Sequence, residues 1–289
     1  MIRGWYTGAS GMTAQQIKLD AISNNLANLD TTGYKKDVAI HKSFPELLLR
    51  RMNDDGQFTF PQGSGDYAPV VGKIGLGVET NELFTEFSQG ALKETSNSFD
   101  LAIDQKSEDA NAAFLCVQTP EGERYTRNGS FTLGKEGYLE TKDGFPVLGQ
   151  NGPIQVKENN FKIDKDGHVW INESFKDNPN RLVGQNENTW DKTVLLDTLK
   201  LVDFKNQRYL EKQGESRWKD TQESGPARVI PQGKARPAVH QGFVEAANVN
   251  PITEMVQMIE VNRAYEANQK SIQSEDSMLN KLINEVVKV

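Results

Sequence analysis

Apolar residues recur at every seventh position near both ends of this chain and at every second position through most of its middle. Trp5, Met12, Leu19 and Leu26 mark the first stripe, broadened by Ile22 and Leu29, and the spacing predicts an amphipathic helix over residues 5–29. Met258, Tyr265, Ile272, Leu279 and Val286 mark the second, with Ile259, Val261, Leu282 and Ile283 widening it. Asn250-Pro251 opens this second helix: asparagine can cap, proline suits the first helical position, and Glu254 complements the positive end of the dipole. The helix runs for about 36 residues, roughly 54 Å at 1.5 Å per residue. Because the strand-rich middle separates the two stripes, neither can be buried against sequence neighbours. They are expected to pack on each other or on other copies.

Exceptions to the pattern inside these helices carry information. Gly8, Ser10, Gly11 and Ala14 fall within the first turns. A glycine there costs roughly 1 kcal/mol relative to alanine, which fits either a close approach of neighbouring backbones or a frayed helix start. Asn262, Asn268, Gln269 and Glu275 share the second helix with its stripe. Such polar residues either sit in the seam, where they select register and partner at some cost in stability, or face water at its edge.

Asn28 to Gly33 ends the first helix, Gly33 suiting a turn of positive φ. Ser43 to Met52 predicts a short helix, with Phe44, Leu47 and Leu48 on one side and Pro45 in its first turn. Asn53 to Gly77, studded with glycine and proline, reads as a long loop or extended arm. From about Glu79 the period changes to two. Turn signals at Gly122, Asn128-Gly129, Glu136-Gly137, Asp143-Gly144, Asn151-Gly152 and Asp166-Gly167 separate strand-length runs, which predicts an antiparallel β domain. Glu173 to Thr193 interrupts it with a polar excursion before Leu195 to Phe204 resumes alternation.

Composition narrows the function. A formal charge of -7 over 289 residues, with no concentrated basic surface, argues against a nucleic-acid binder. The pairs Lys35-Lys36 and Arg50-Arg51 are expected to be solvated faces. No segment approaches the roughly 18 apolar residues of a membrane span, and Met1 to Trp5 lacks the apolar core of a secretory signal. Cys116, the sole cysteine, lies in Phe114-Leu115-Cys116-Val117, an apolar run expected to be a buried strand. Asp164-Lys165-Asp166-Gly167 resembles the middle of a calcium loop, but Lys162 stands at the first ligand position and the flanks read as strands, so a hairpin turn is expected. His41, His168 and His240 are scattered. No nucleophile–base pair, phosphate loop or metal-ligand spacing is visible, so no enzyme activity and no cofactor is expected.

The sequence is similar to one known family. Asn24 to Asp37, NNLANLDTTGYKKD, resembles the amino-terminal signature of bacterial flagellar axial proteins, with Ala27, Asn28, Thr32, Gly33, Tyr34 and Lys35 in its characteristic places. Gly242 to Ile272 resembles the matching carboxy-terminal signature, including Asn248, Asn250, Pro251, Glu254, Arg263 and Tyr265. Internal segments such as FSQGALKETSNSFDLAI (87–103) and YTRNGSFTL (125–133) agree as well. The chain departs from the family pattern at Asp104 to Ala113, a polar stretch where a short Gly-x-Gly-Phe-Phe turn is usual.

That resemblance implies a basal-body rod protein, nearest the proximal rod protein adjoining the distal rod. The fold expected is α+β. Residues 1–36 and 245–289 form the N- and C-terminal helices of a coiled-coil inner domain, 37–79 an arm, 80–200 a β-rich outer domain and 201–244 a return segment. The expected assembly interface comprises Trp5, Met12, Leu19, Ile22, Leu26, Leu29, Met258, Ile259, Tyr265, Ile272, Leu279, Leu282 and Val286. Implied partners are other copies, neighbouring rod proteins and the flagellar type III export apparatus, without nucleic acid or membrane insertion. The implied location is the rod in the periplasmic space, reached without a cleaved signal peptide. The alternatives are a distal rod or hook subunit and, from another class, a secreted β-domain adhesin or binding module.

Overall fold

The computed structural model describes residues 2–50, 59–60, 63–64, 70–105, 111–157, 160–172, 193–214, 216–233 and 236–286. Among them two α-helices, α1 (Ile2–Ala27) and α2 (Pro251–Val286), bracket a series of short antiparallel strands, giving an α+β chain. It divides into two compact units. A helix-bearing unit gathers Met1–Asn24, Val38–Phe84 and Ile252–Val289, and a strand unit gathers Asn25–Asp37 and Thr85–Pro251.

The strand unit is built on a six-stranded antiparallel sheet whose centre is Phe114–Thr119, flanked by Gly122–Thr126 and Leu201–Asp203. Successive side chains of a strand point to opposite faces. Phe114 and Cys116 therefore join Tyr125, Val202, Phe204 and Trp218 in one apolar cluster, while Leu115 and Val117 join Leu139, Val169, Leu199 and Leu201 in another. A strand covered on both faces reads as an unbroken apolar run, which explains Phe-Leu-Cys-Val. Burial pushes the Cys116 thiol pKa up to about 12, which keeps it protonated and inert at neutral pH. The rings of Phe114 and Trp218 lie 5.6 Å apart, and Phe87 meets each of them edge-on.

Turn chemistry behaves as the sequence suggests. Five of the six signals place glycine at positive φ, at Gly122, Gly137, Gly144, Gly152 and Gly167. Gly129 is needed for a different reason: a Cβ there would collide with the carbonyl oxygen of Leu101. Asp164 to Gly167 closes the hairpin between Phe161–Ile163 and His168–Asn172, with the Gly167 amide donating to the Asp164 carbonyl at 2.8 Å.

In the helix-bearing unit, Asp37–Ser43 pairs with Val78–Thr85, and Leu47–Arg50 pairs antiparallel with Val70–Ile74. Within the short helix expected over Ser43 to Met52, Leu47–Arg50 is thus a strand. Leucine favours helix only weakly, and a partner strand that supplies backbone hydrogen bonds overrides that preference. Part of the 53–77 arm is this partner strand. Residues 51–52 of that expected helix, 53–58, 61–62 and 65–69 of the arm, 106–110 of the unusual polar stretch and 173–192 of the expected excursion lie outside the described residues.

Candidate assembly surfaces and the signature loop

α1 approaches α2 through its glycines. A Cβ built on Gly8 would stand 2.9 Å from Ile272 Cγ1, one on Gly11 2.8 Å from Asn268 Nδ2, and one on Gly4 would collide with the Glu275 carboxylate. As the number rises along α1 it falls along α2, so the two run antiparallel through this stretch. Close approach, rather than fraying, accounts for the glycines.

The faces that result differ along each helix. On α1, Ile22 is buried, Met12, Leu19, Leu26 and Leu29 are half-buried, and Trp5 is exposed. On α2, Val261 is buried and Met258, Ile272 and Leu279 are half-buried. Ile259 and Leu282, by contrast, are 53% and 48% exposed, and Tyr265 is also open. Ile252, Met255, Val256, Met278 and Ile283 add to this exposed apolar surface. Of the four polar residues in question, Asn268 and Glu275 turn towards α1, while Asn262 and Gln269 face outward. The side chain of Val286 lies outside the described residues.

The amino-terminal signature folds as a tight loop within the strand unit. Gly33 takes φ 68°, and a Cβ on it would run into the backbone of Arg127 and Asn128. Its amide donates to the carbonyl of Glu245 at 2.8 Å, and the Thr32 hydroxyl donates to Asn128 Oδ1 at 2.6 Å. The Thr31 amide and hydroxyl both turn back to Asn28. Tyr34 is buried, its hydroxyl donating to Asn25 Oδ1 at 3.0 Å. In the carboxy-terminal signature Asn248 is half-buried and Glu254 buried, Pro251 opens α2, and Asn250 and Arg263 are exposed, as is Ala27 in the first.

Lys35 corrects the expectation of a solvated basic pair. It is fully buried, donating at 2.6 Å to both Glu245 Oε1 and the Ser88 carbonyl. Buried Arg127 lies 3.6 Å from Glu245 Oε2, so two cations share one carboxylate. Burial, the larger influence, lowers the Lys35 pKa to about 8 against the pull of Glu245. Burial likewise lowers that of Arg127. Lys36 is half-exposed and pairs with Glu86 at 3.0 Å. A neighbour 210 positions along the chain left no local signal of Lys35's burial. Arg127 and Glu245 were missed for the same reason, and the side chains of Arg50 and Arg51 lie outside the described residues.

Residues 6–35 match the family described as flagella basal body rod protein, 110–171 the flagellar hook protein FlgE/F/G D1 domain, and 240–285 the flagellar basal body rod FlgEFG protein C-terminal. The chain is 34% identical over 289 residues to the flagellar basal-body rod protein FlgG of Buchnera aphidicola subsp. Schizaphis graminum, spanning 98% of this chain and 99% of that one. It is 32% identical to FlgG of Borreliella burgdorferi, over 96% and 97% of the respective chains. It is 30% identical to the flagellar hook-basal body complex protein FlhO of Bacillus subtilis, over the whole of both. No helix among the described residues is long and apolar enough to cross a membrane.

Proposed function

This chain belongs to the flagellar basal-body rod protein family, and from that premise we propose that it polymerises helically into a torque-transmitting drive shaft with an export channel inside. It is a structural subunit of the rod rather than an enzyme. Its terminal helices, with 1–36 and 245–289 as the inner domain, pair as a coiled coil and line the channel, and 80–200 forms the outer domain. The chain reaches the periplasmic stretch of the rod through the flagellar type III export apparatus and contacts other copies and neighbouring rod proteins there.

One observation carries this reading. One flank of α2 is occupied by α1, yet its opposite flank keeps Ile252, Met255, Val256 and Ile259 exposed. Their spacing of three and four residues makes a continuous helical stripe. Each such side chain contributes roughly 1.5 to 3 kcal/mol when fully covered, so the stripe favours association with further subunits. A head-to-tail contact that does not close on itself extends as a filament.

Deletion of the gene, with complementation, tests the proposal. The expected result is arrest of filament growth at the rod and non-swimming cells, with the labelled chain recovered in isolated basal bodies of the complemented strain. Normal swimming after deletion would overturn it and favour the adhesin. Position of the label along the basal body assigns the proximal or distal place, the proximal being the expectation.

A further inference from the structure

A three-stranded sheet of the strand unit, made of Phe161–Ile163, His168–Asn172 and Thr193–Thr198, turns one face to the core: Phe161, Ile163, Val169 and Ile171 lie on that side. Alternation sends Lys162, His168, Trp170 and Thr193 to the other face. Lys162 stands directly across from Trp170 there, and the indole is only half-buried. Beside this face opens a cleft of about 670 Å³, lined by Lys162, Trp170 and Thr193 of the sheet and by Val239, His240 and Gln241 of the strand Ala238–Gln241. Asp164 and Lys165, at the hairpin turn, complete the lining. Clefts that hold small ligands measure about 300–1,000 Å³.

We propose that this cleft binds a neutral saccharide, a short run of pyranose rings, with Trp170 as its platform. The assignment does not depend on the rod reading. A pyranose presents an apolar C–H face and a rim of hydroxyls that both donate and accept hydrogen bonds. The indole supplies a flat apolar body for the first, and the surroundings answer the second: Lys162 and Lys165 donate, the Asp164 carboxylate accepts, and the Thr193 hydroxyl does both. Charge is nearly balanced, since the two lysines are offset by Asp164 and by Asp104, whose Oδ2 lies 3.3 Å from His240 Nε2. A strongly anionic or cationic ligand therefore gains little. An extended peptide would have to pair with Phe161–Ile163, the edge strand of the sheet, but that edge is already engaged. The Ile163 amide donates to Gln241 Oε1 at 3.0 Å, and the Val239 amide donates to the Lys165 carbonyl at 2.9 Å. Gln241 Nε2 in turn donates to the Ser98 carbonyl at 2.8 Å, so this wall of the cleft is held in place before any ligand arrives.

Saturation-transfer NMR on the full-length chain tests the cleft, with maltotriose, cellotriose and triacetylchitotriose as probes. At least one of them should receive transfer, strongest at the ring protons of its C–H face. Titration with that sugar should move the indole N–H resonance of Trp170 and leave that of Trp218, which is fully buried in the core, in place. Trp170→Ala should weaken binding by about tenfold or more, because the stacking surface is lost. Lys162→Ala, at an exposed position, should weaken it by about threefold through one lost hydrogen bond, and it decides the matter if Trp170→Ala lowers the melting temperature. Absence of transfer to all three sugars would overturn the proposal, as would binding that survives both substitutions. A response of the Trp170 indole to hexaglutamate and to none of the sugars would overturn it in favour of an acidic peptide.

Discussion

The strand unit and the terminal helices solve the problem of burying apolar surface in opposite ways. In the strand unit, Phe114–Thr119 is covered on both faces by residues of the same unit, and Trp218, Phe204 and Leu199 are fully inaccessible. On α2, Ile252 is 70% and Met278 61% exposed in a helix of 36 residues. A sheet with two apolar clusters completes itself, whereas a long helix with apolar residues on more than one flank needs additional partners. One chain therefore combines a unit that covers most of its apolar residues itself with a long helix that leaves several of its own open to solvent.

The sharpest way to break this contrast is to charge the helices. Leu19→Asp or Leu279→Asp should abolish incorporation into basal bodies, since a carboxylate in an apolar seam costs on the order of several kcal/mol per subunit. Near-ultraviolet circular dichroism of the strand unit's aromatic cluster should be unchanged in the purified variants. Loss of that signal, or normal incorporation, would show that the two regions are not independent in this sense.

A smaller effect separates two kinds of glycine. Gly33→Ala should lower the thermal stability of the strand unit by about 2 to 4 kcal/mol, because its positive φ and the backbone of Arg127 and Asn128 both resist a methyl group. Gly8→Ala should change stability by less than about 1 kcal/mol, because Ile272 can rotate aside and alanine improves helix propensity. Equal effects in melting experiments would contradict the distinction.

The smallest effect is a pH dependence centred on Lys35, whose folded pKa is about 8 against an ordinary 10.5. Between those values the unfolded chain holds a proton that the folded chain has released, so this group makes stability rise with pH. The stability of the unmutated protein relative to Lys35→Met should therefore increase from about pH 8 to about pH 10.5, by on the order of 3 kcal/mol at most. Taking the difference cancels the opposing contribution of Cys116, whose raised pKa gives stability that is lost as pH climbs from 9 towards 12. A flat difference in denaturant melts across this range would show that Lys35 is not strained by burial.

Local patterns were legible wherever the cause was local. Pro251 marked the start of α2, Gly33 the turn after α1, and Asp164 to Gly167 a hairpin, since each depends on backbone geometry within a few residues. The buried strand around Cys116 was readable because a segment covered on both sides shows no alternation. Leu47–Arg50 was misread because its identity as a strand depends on Val70–Ile74, more than twenty residues away. The resemblance pointed to Lys35 as a signature residue, but nothing in its neighbourhood indicated that it would be buried against Glu245.

By itself, then, the sequence determined the two long helices, the short antiparallel strands between them and the family to which the chain belongs, because periodicity and turn residues act over a few positions. Only the tertiary structure decided which flank of α2 is covered, that Lys35 and Arg127 share Glu245, and that Asn25 holds the backbone of Asp37 while Asn248 bonds that of Lys36 and Glu86. Those outcomes arise from groups far apart in the chain brought within hydrogen-bonding distance, and the free energy of burying a charge or satisfying an amide depends on what arrives beside it.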